Sequence, residues 1–357
     1  MIGIILIGNI EYSPYLEKYT NVLKECDIEY EVLYWDRENL YNQYPKNYFG
    51  FRKKSIISKN KAYKIIDFFQ YSKWLKKQIA NRKYDKLIIL GTLTGFLTYI
   101  TLKNYKNKYI FDIRDFSYEN ITLFYNLENR IIQNSFFTCI SSEGFKKFLP
   151  TNNKFIITHN FNYKDLISNF LFKKKKQGDT LNFVWLGSVR YYEHQKKIIY
   201  NLKNDKRFNI IIHGTGPDLD RLKLFCKENN INNIKFTGRY NNSEKFHLLY
   251  NADLLNNSYD INIGSEVKYA ISNKFYDGII YRIPQLVEEN TYKNEKIRQA
   301  KIGIALNINH KDFADELYKY YFSIDENQFN FNCNKQLELI LKEDKIFIDK
   351  LKYFILK

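Results

Sequence analysis

The sequence predicts an α/β protein of two doubly wound, Rossmann-like domains in tandem, closed by a C-terminal helical tail. Three observations carry that expectation. The chain has 357 residues, more than one core comfortably organises and about right for two domains. Short apolar runs alternate with helical patterns along most of it, as parallel strands covered on both faces require. The alternation lapses once, over residues 162–180, where Lys173-Lys174-Lys175-Lys176-Gln177-Gly178-Asp179 reads as an interdomain linker.

The elements follow in order. The opening run Met1-Ile2-Gly3-Ile4-Ile5-Leu6-Ile7-Gly8 lacks the positive flank and cleavage site of a secretory signal, and reads as a buried first strand. Strands are predicted at 2–7, 29–34, 86–90, 108–112, 136–140 and 155–158, with helices at 15–25, 62–81, 95–103 and 143–149. Beyond the linker, strands are predicted at 182–186, 208–213, 234–237, 253–256, 284–287 and 303–306. The tail, from 334 to 356, carries Leu337, Ile340, Leu341, Ile346, Phe347, Leu351 and Phe354 at helical spacing. The domains are therefore expected at 1–160 and 181–330, joined by 161–180, with a final helix over 331–357. In such sheets ligands bind beyond the carboxyl ends of the strands, so both sets of loops are expected to face a cleft.

Composition narrows the function. Hydrophobic residues make up 45% and charged residues 27%, the balance of a packed chain. No apolar run reaches the ~20 residues that span a bilayer. Cys26, Cys139, Cys226 and Cys333 are far apart and show no CxxC or Cys/His spacing, which argues against disulfides and structural zinc. The same cysteine usage suits a reducing cytoplasm, and with 5 His and a single Met no metal or haem cofactor is expected.

The net charge of +17 implies an anionic partner: nucleic acid, anionic lipid or a phosphorylated small molecule. Drift toward AT-rich codons would also enrich lysine, but would spread it evenly. The charge is concentrated instead. From Lys46 to Lys86 thirteen basic residues face two acidic ones, +11 of the total. Interleaved with Tyr48, Phe49, Phe51, Tyr63, Phe68, Phe69, Tyr71 and Trp74, this stretch suits an anionic membrane surface. Two other readings stand beside it: a solvated helical face over an aromatic core, or a single-stranded nucleic-acid site.

Candidate chemistry lies at strand ends. The first strand after the linker ends Leu186-Gly187-Ser188-Val189-Arg190, with Lys196 and Lys197 in the next helix. Gly187 permits a tight turn, helix-start amides can face an anion, and Arg190 offers a planar fork to phosphate. The next strand ends His213-Gly214-Thr215-Gly216-Pro217, whose glycines allow close approach of a ligand or of a neighbouring loop. Asp218-Leu219-Asp220 mimics an acidic metal site but reads first as a helix cap. In Ser272-Asn273-Lys274-Phe275-Tyr276-Asp277, Asn273 and Lys274 stand at a helix start and Asp277 one turn in. Asp277 can accept hydrogen bonds from a diol; equally, Asn273 can be a cap and Asp277 an exposed acid beside it. In the first half, Asp112-Ile113-Arg114-Asp115 ends a strand and suits sugar hydroxyls or a local ion pair. Gly8, Asn9, Thr92 and Thr94 stand at the ends of other strands of the same domain.

The order of these features resembles the GT-B glycosyltransferases: Gly-x-x-Arg, Gly-x-Gly-Pro, Phe236-Thr237-Gly238, Tyr250-x-Ala252-Asp253, then Asn-Lys-x-Tyr-Asp-x6-Pro. More narrowly it is similar to the retaining, family-four-like transferases of capsular and lipopolysaccharide synthesis. The resemblance implies a nucleoside-diphosphate sugar as donor and a lipid-linked saccharide as acceptor, with retention and without a divalent metal. It assigns the donor pyrophosphate to Arg190 with Lys196 or Lys197. It assigns the nucleotide pocket to Gly187, Ser188, Gly214 and Gly216, the phosphates to Asn273 and Lys274, and the ribose to Asp277. Asp112, Arg114 and Asp115 would orient the attacking hydroxyl, with Gly8, Asn9, Thr92 and Thr94 lining the acceptor side. Tyr269 stands where the family has the first Glu of its Glu-x7-Glu motif, and Glu266 is nearby. The expected setting is the inner face of the cell membrane, reached through the Lys46 to Lys86 stretch, with no nucleic acid as partner. Two rivals share these residues: a nucleotide-sugar epimerase of the same fold, and a basic membrane- or nucleic-acid-binding protein with a decayed site.

Overall fold

The computed structural model describes residues 1–38, 44–55, 61–117, 119–161, 163, 166, 170–262 and 264–357. It forms two compact units, Met1–Asn160 with Lys342–Lys357, and Phe161–Leu341. In the first, β1 (Ile2–Leu6) and α1 (Leu16–Glu25) precede β2 (Tyr30–Asp36), β3 (Tyr48–Arg52), α2 (Lys61–Arg82) and β4 (Lys86–Leu90). Then come α3 (Thr92–Leu102), β5 (Tyr109–Ile113), α4 (Thr122–Asn134), β6 (Phe137–Ile140) and β7 (Phe155–Ile157). Among the described residues its seven strands are all parallel, in the order β3-β2-β1-β4-β5-β6-β7. The register sets Ile2 beside both Tyr30 and Lys86. Every residue of β1 and β5 is buried, because helices cover both faces.

Two differences from expectation have physical causes. Strand β3 was not expected, since Tyr48-Phe49-Gly50-Phe51-Arg52 sits inside the basic stretch. Pairing with β2 makes it a strand, and Gly50 lets the Tyr34 ring pass where a Cβ would meet it at 2.8 Å. Residues 143–149, expected as a helix, form only a 3₁₀ turn over Glu143–Lys147. Ser142 Oγ caps it by accepting from the Gly144 amide at 3.1 Å.

The second unit runs β8 (Leu181–Leu186), α5 (Tyr192–Asn201), β9 (Phe208–His213), α6 (Leu219–Glu228), β10 (Ile234–Gly238), α7 (Lys245–Leu249) and β11 (Leu254–Asn256). It continues with α8 (Ser265–Tyr269), α9 (Asn273–Ile280), β12 (Gln285–Val287), α10 (Tyr292–Ala300), β13 (Gly303–Ala305) and α11 (Phe313–Ser323). Among the described residues its six strands are parallel, in the order β10-β9-β8-β11-β12-β13. The direction of winding reverses at β8, which lies between β9 and β11. That is the switch point at which such sheets bind ligands. Residues 162, 164, 165 and 167–169 of the expected linker lie outside the description. Phe172, further along it, is buried in the second unit's core, and its amide donates to Asn330 Oδ1 at 2.8 Å.

The final helix, α12 (Glu326–Leu356), starts five residues before the expected position. It serves both cores: Phe329, Cys333 and Ile340 enter the second unit's, and Phe347, Leu351 and Phe354 the first's. Among the described residues all four cysteines are free, and no helix is long and apolar enough to cross a membrane.

The basic stretch divides in two. Phe51, Phe68 and Tyr71 pack around Trp35 with ring centroids 5.1–5.7 Å away, and Trp74 stacks on Tyr71. Tyr71 is fully buried, and Phe51, Phe68 and Trp74 are half-buried against it and Trp35. On α2, however, Ile65, Ile66 and Phe69 are 68%, 50% and 70% exposed, and Lys73, Lys76 and Lys77 on the following turns are exposed as well. Lys59 lies outside the described residues, as do the side chains of Lys61, Tyr63 and Lys64.

The terminal helix should be indispensable to the first unit. Phe347 is fully buried and meets the Tyr19 ring edge-on at 5.3 Å. Phe347→Ala is expected to destabilise this unit by about 3–5 kcal/mol. Chemical denaturation followed by tryptophan fluorescence would measure it, and a loss under about 1 kcal/mol would contradict this packing.

Candidate functional site

The second unit's candidate site starts where β8 ends. Gly187 turns the chain at φ +115°, and its amide donates to the His213 carbonyl at 2.9 Å. Gly214, at φ +144°, lies against that turn so closely that a Cβ there would sit 1.8 Å from the Gly187 carbonyl oxygen. A Cβ on Gly216 would fall 2.3 Å from the Val189 carbonyl oxygen. Of the two explanations for these glycines, the close approach of a neighbouring loop is what the geometry displays.

The two turns are also stitched together. Val189 donates its amide to Thr215 O at 3.0 Å, and Asp218 Oδ2 accepts from the Tyr192 amide at 3.1 Å. Asp218 thus satisfies the first amide of α5 and makes no side-chain cap bond to its own helix, α6. The capping expectation is corrected in target: the acid serves the preceding helix in sequence. Sequence alone could not show this, because the partner lies 26 residues away.

Arg190 emerges exposed from this turn, with Ser188 exposed beside it. The next residue, Tyr191, takes a left-handed φ of +67°, uncommon for a residue with a side chain. Beneath lies Lys274, only 6% exposed, on the first turn of α9. Its Nζ donates to the Tyr259 hydroxyl at 2.7 Å, lies 4.3 Å from the Trp185 ring centre, and sits 4.0 Å from the place of a Cβ on Gly187. Burial pulls its amine down to about 7, with the Arg190 charge pushing the same way and Asp277 and Glu288 opposing.

Around Lys274 is a shell that sequence inspection missed. Lys293, fully buried, bonds Glu288 Oε2 at 3.0 Å and the Asn257 carbonyl at 2.5 Å. His194 Nε2 pairs with Ser258 Oγ at 2.8 Å, and burial holds this imidazole down to about 4, so it is neutral at physiological pH. Gln195 donates to the Ser258 carbonyl at 3.1 Å. The signal for this shell was polar residues directly following buried strands: Asn257-Ser258-Tyr259 after β11 and Glu288-Glu289 after β12.

Other predicted residues are placed differently. Lys196 turns toward the Tyr192 and Phe225 rings, 5.6 and 5.5 Å away, and Lys197 donates to Asn309 Oδ1 at 2.9 Å. Neither is among the charges felt by Lys274. Asn273 is exposed as the first residue of α9, and Ser272 takes the cap position instead. Asp277 is buried, its Oδ1 2.9 Å from Lys245 Nζ, rather than an exposed acid.

In the first unit the strand-end polar groups face inward. Asp112 is fully buried, and its Oδ2 accepts from Arg114 Nη2 and from the Tyr19 hydroxyl, each at 2.7 Å. Asn9 bridges Asp36 and the Arg37 amide, and Thr94 Oγ1 donates to Leu90 O at 2.6 Å. Thr92 is buried too. Asp115 is exposed and Gly8 half-buried. Among the described residues no group of three or more His, Cys, Asp or Glu is placed to hold a metal ion.

No family model matches this sequence, and no curated protein matches it. Solved structures do. The Anabaena protein HepE in complex with UDP and glucose aligns with a TM-score of 0.68 at 12% identity, covering 98% of each chain. WaaG, a glycosyltransferase involved in lipopolysaccharide biosynthesis, aligns at 0.65 and 12%, over 98% of this chain and 99% of its own. The UDP-GlcNAc 2-epimerase of Methanocaldococcus jannaschii aligns at 0.57 and 15%, over 96% and 100%. The fold is GT-B. At these identities the likeness concerns the fold alone.

Lys274 provides a test of the site. Its folded pKa of about 7 lies below the usual 10.5, so its stabilising share is present above 10.5 and lost as pH falls through 7. An anion bound beside Arg190 would favour the charged amine and take up a proton. Inorganic pyrophosphate is therefore expected to bind more weakly at about pH 9 than at about pH 6, with Lys274→Met flattening the difference. Titration calorimetry at both pH values reads it directly.

Proposed function

We propose that this chain is a retaining glycosyltransferase of surface polysaccharide synthesis. It takes a sugar from a nucleoside-diphosphate sugar and gives it to a lipid-linked saccharide. The observation that carries this reading is the paired cation arrangement at the switch point: exposed Arg190 above buried Lys274, at a turn opened by Gly187. Support comes also from the fold, which HepE shares with UDP and glucose bound and WaaG shares in lipopolysaccharide biosynthesis.

In the reaction, an acceptor hydroxyl oxygen bonds to the anomeric carbon on the face from which the diphosphate departs. The carbon–oxygen bond to phosphate breaks, its electron pair leaves with the diphosphate, and a phosphate oxygen takes the hydroxyl proton. Same-face entry gives retention. Arg190 and the Lys274 charge offset the negative charge growing on the departing group, so we expect no divalent metal to be needed. Lys196 and Lys197 contribute less in this scheme, being directed to Tyr192, Phe225 and Asn309. Asp277 would share its carboxylate between Lys245 and the ribose. For the acceptor the scheme relies on exposed Asp115 and half-buried Gly8, with Asp112 and Arg114 as positioning groups.

Arg190→Ala is expected to lower kcat about 10²–10³-fold at saturating donor, the usual effect of removing one donor to developing charge. A screen of sugar nucleotides with and without saccharide acceptors supplies the assay. Wild-type turnover in the variant would overturn the role. Conversion of the donor with no acceptor present would favour an epimerase, and binding of no nucleotide a binding module.

We assign membrane attachment to α2, where exposed Ile65, Ile66 and Phe69 precede exposed Lys73, Lys76 and Lys77. Apolar side chains can enter the headgroup boundary while the lysines meet anionic lipid. The protein is expected to float with vesicles containing phosphatidylglycerol and not with purely zwitterionic ones. Phe69→Ala combined with Lys73→Gln and Lys76→Gln should abolish most of that recovery. Equal flotation with both vesicle types would dispose of the idea.

A further inference from the structure

Lys196 and Lys197, directed away from Lys274, border a groove that no predicted role accounts for. Its volume is about 470 Å³, within the roughly 300–1,000 Å³ range of small-molecule sites. One wall is α5, a second is α6 through Phe225, and the third is the segment after β13 over residues 308–311. The groove reaches Tyr200, eight residues along α5 from Tyr192 and so roughly 12 Å down the helix from the turn that carries Arg190. Through Lys197 and Asn309 it adjoins a smaller cavity of about 270 Å³, which His194, Tyr259 and Glu288 help to line.

The walls are tied to one another, so the groove is preformed. Lys197 Nζ donates to Asn309 Oδ1 at 2.9 Å, and Asn201 Nδ2 to the Ile308 carbonyl at 2.8 Å. Between α5 and α6 the Tyr200 and Phe225 rings lie 6.4 Å apart, and Lys196 Nζ is 5.5 Å from the Phe225 ring centre.

The groove stays cationic after its local pairs are counted. Lys196, Lys197, His310 and Lys311 line it, with no carboxylate among the described lining residues. At its margin Glu193 lies 3.5 Å from Lys196, and Glu316 lies 3.3 Å from His310. Lys197, by contrast, has a neutral amide as its partner, and Lys311 makes no ion pair among the described residues. Asp312, which follows Lys311 in sequence, is not part of the lining. Two ammonium groups are left for an anion.

Beside them stands an aromatic face. Tyr200 is 55% exposed, over a floor that includes buried Phe225. An open ring next to unmatched ammonium groups suits a ligand that carries both a flat ring and phosphates. The ring stacks, and the phosphates take charge-assisted hydrogen bonds.

We propose that this groove is a second anion site, binding a free nucleotide with its base against Tyr200 and its phosphates at Lys197 and Lys311. It is separate from the donor site at Arg190 and does not require the transferase reading.

Photolabelling of the full chain tests this. The protein is irradiated with 8-azido-ADP and, separately, with 5-azido-UDP, and adducts are located by peptide mass spectrometry. Adducts are expected within residues 196–201 or 308–311, and they should persist in Arg190→Ala. Excess unmodified nucleotide should remove them, whereas the corresponding nucleoside, lacking phosphate, should not. Tyr200→Ala/Lys311→Gln, both positions exposed and so harmless to the fold, should cut groove labelling about fivefold or more. Any label near Arg190 should survive that substitution. Absence of groove adducts with both probes overturns the proposal, as do adducts unmoved by competition or by the double substitution. Stronger competition by a single-stranded oligonucleotide than by free nucleotide would give the groove to nucleic acid, and overturns it as well. Groove labelling with none near Arg190 would support this site while counting against the transferase.

Discussion

The second unit's site depends on two backbones running closer together than side chains would allow. The carbonyl of Gly187 occupies the space of a Cβ on Gly214, and Val189 does the same to Gly216. Because both glycines lack that atom, the turn after β8 can rest on the turn after β9 and be pinned by backbone bonds. The candidate site hangs from this contact. It orients the exit toward Arg190, it brings Asp218 to the start of α5, and it leaves Gly187 directly over the Lys274 ammonium.

A second constraint concerns buried charge. Desolvating a lysine costs several kcal/mol unless it is matched, and the two lysines here are treated differently. Lys293 is neutralised at short range by Glu288. Lys274 has a hydroxyl and two aromatic faces as its immediate partners, with carboxylates acting on it only at longer range. Its charge is consequently the more responsive to what arrives nearby. The first unit follows the opposite course: Asp112 and Arg114 pair with each other in the interior, and Asn9 and Thr94 bond to backbone or neighbouring side chains. The strand ends of one sheet thus display charge, while those of the other mostly enclose it.

Several expectations failed for one common reason, namely that local pattern does not report distant partners. The aromatics among the lysines of the basic stretch could be read as a membrane-facing surface or as a core beneath a solvated face, and local pattern could not divide them between the two. Contact with Trp35, on a neighbouring strand, draws Phe51, Phe68 and Tyr71 inward and leaves Phe69 out. The strand Tyr48–Arg52 has no alternation of its own to announce it and exists through its pairing with β2. Lys274 was read as a helix-start cation near phosphate, and nothing in its neighbours signalled that Trp185 and Tyr259 would bury it.

By itself the sequence determined the two parallel α/β series, the span of most strands and the final helix. These follow from periodicity, which is written in consecutive residues: a strand covered on both faces must be apolar throughout, as Ile2–Leu6 and Lys86–Leu90 nearly are. It also marked Gly187, Arg190 and Gly214 as unusual. Tertiary structure alone decided which of the marked residues stand together. Arg190 and Lys274 come together because Lys274 of α9 packs on Trp185 of β8 beneath the Gly187 turn, Lys196 and Lys197 turn elsewhere, and Glu288, Tyr259 and His194 line one cavity from positions up to 94 residues apart. Such proximity is a product of strand order, and strand order is set by packing free energy summed over the whole sheet rather than by any local run of residues.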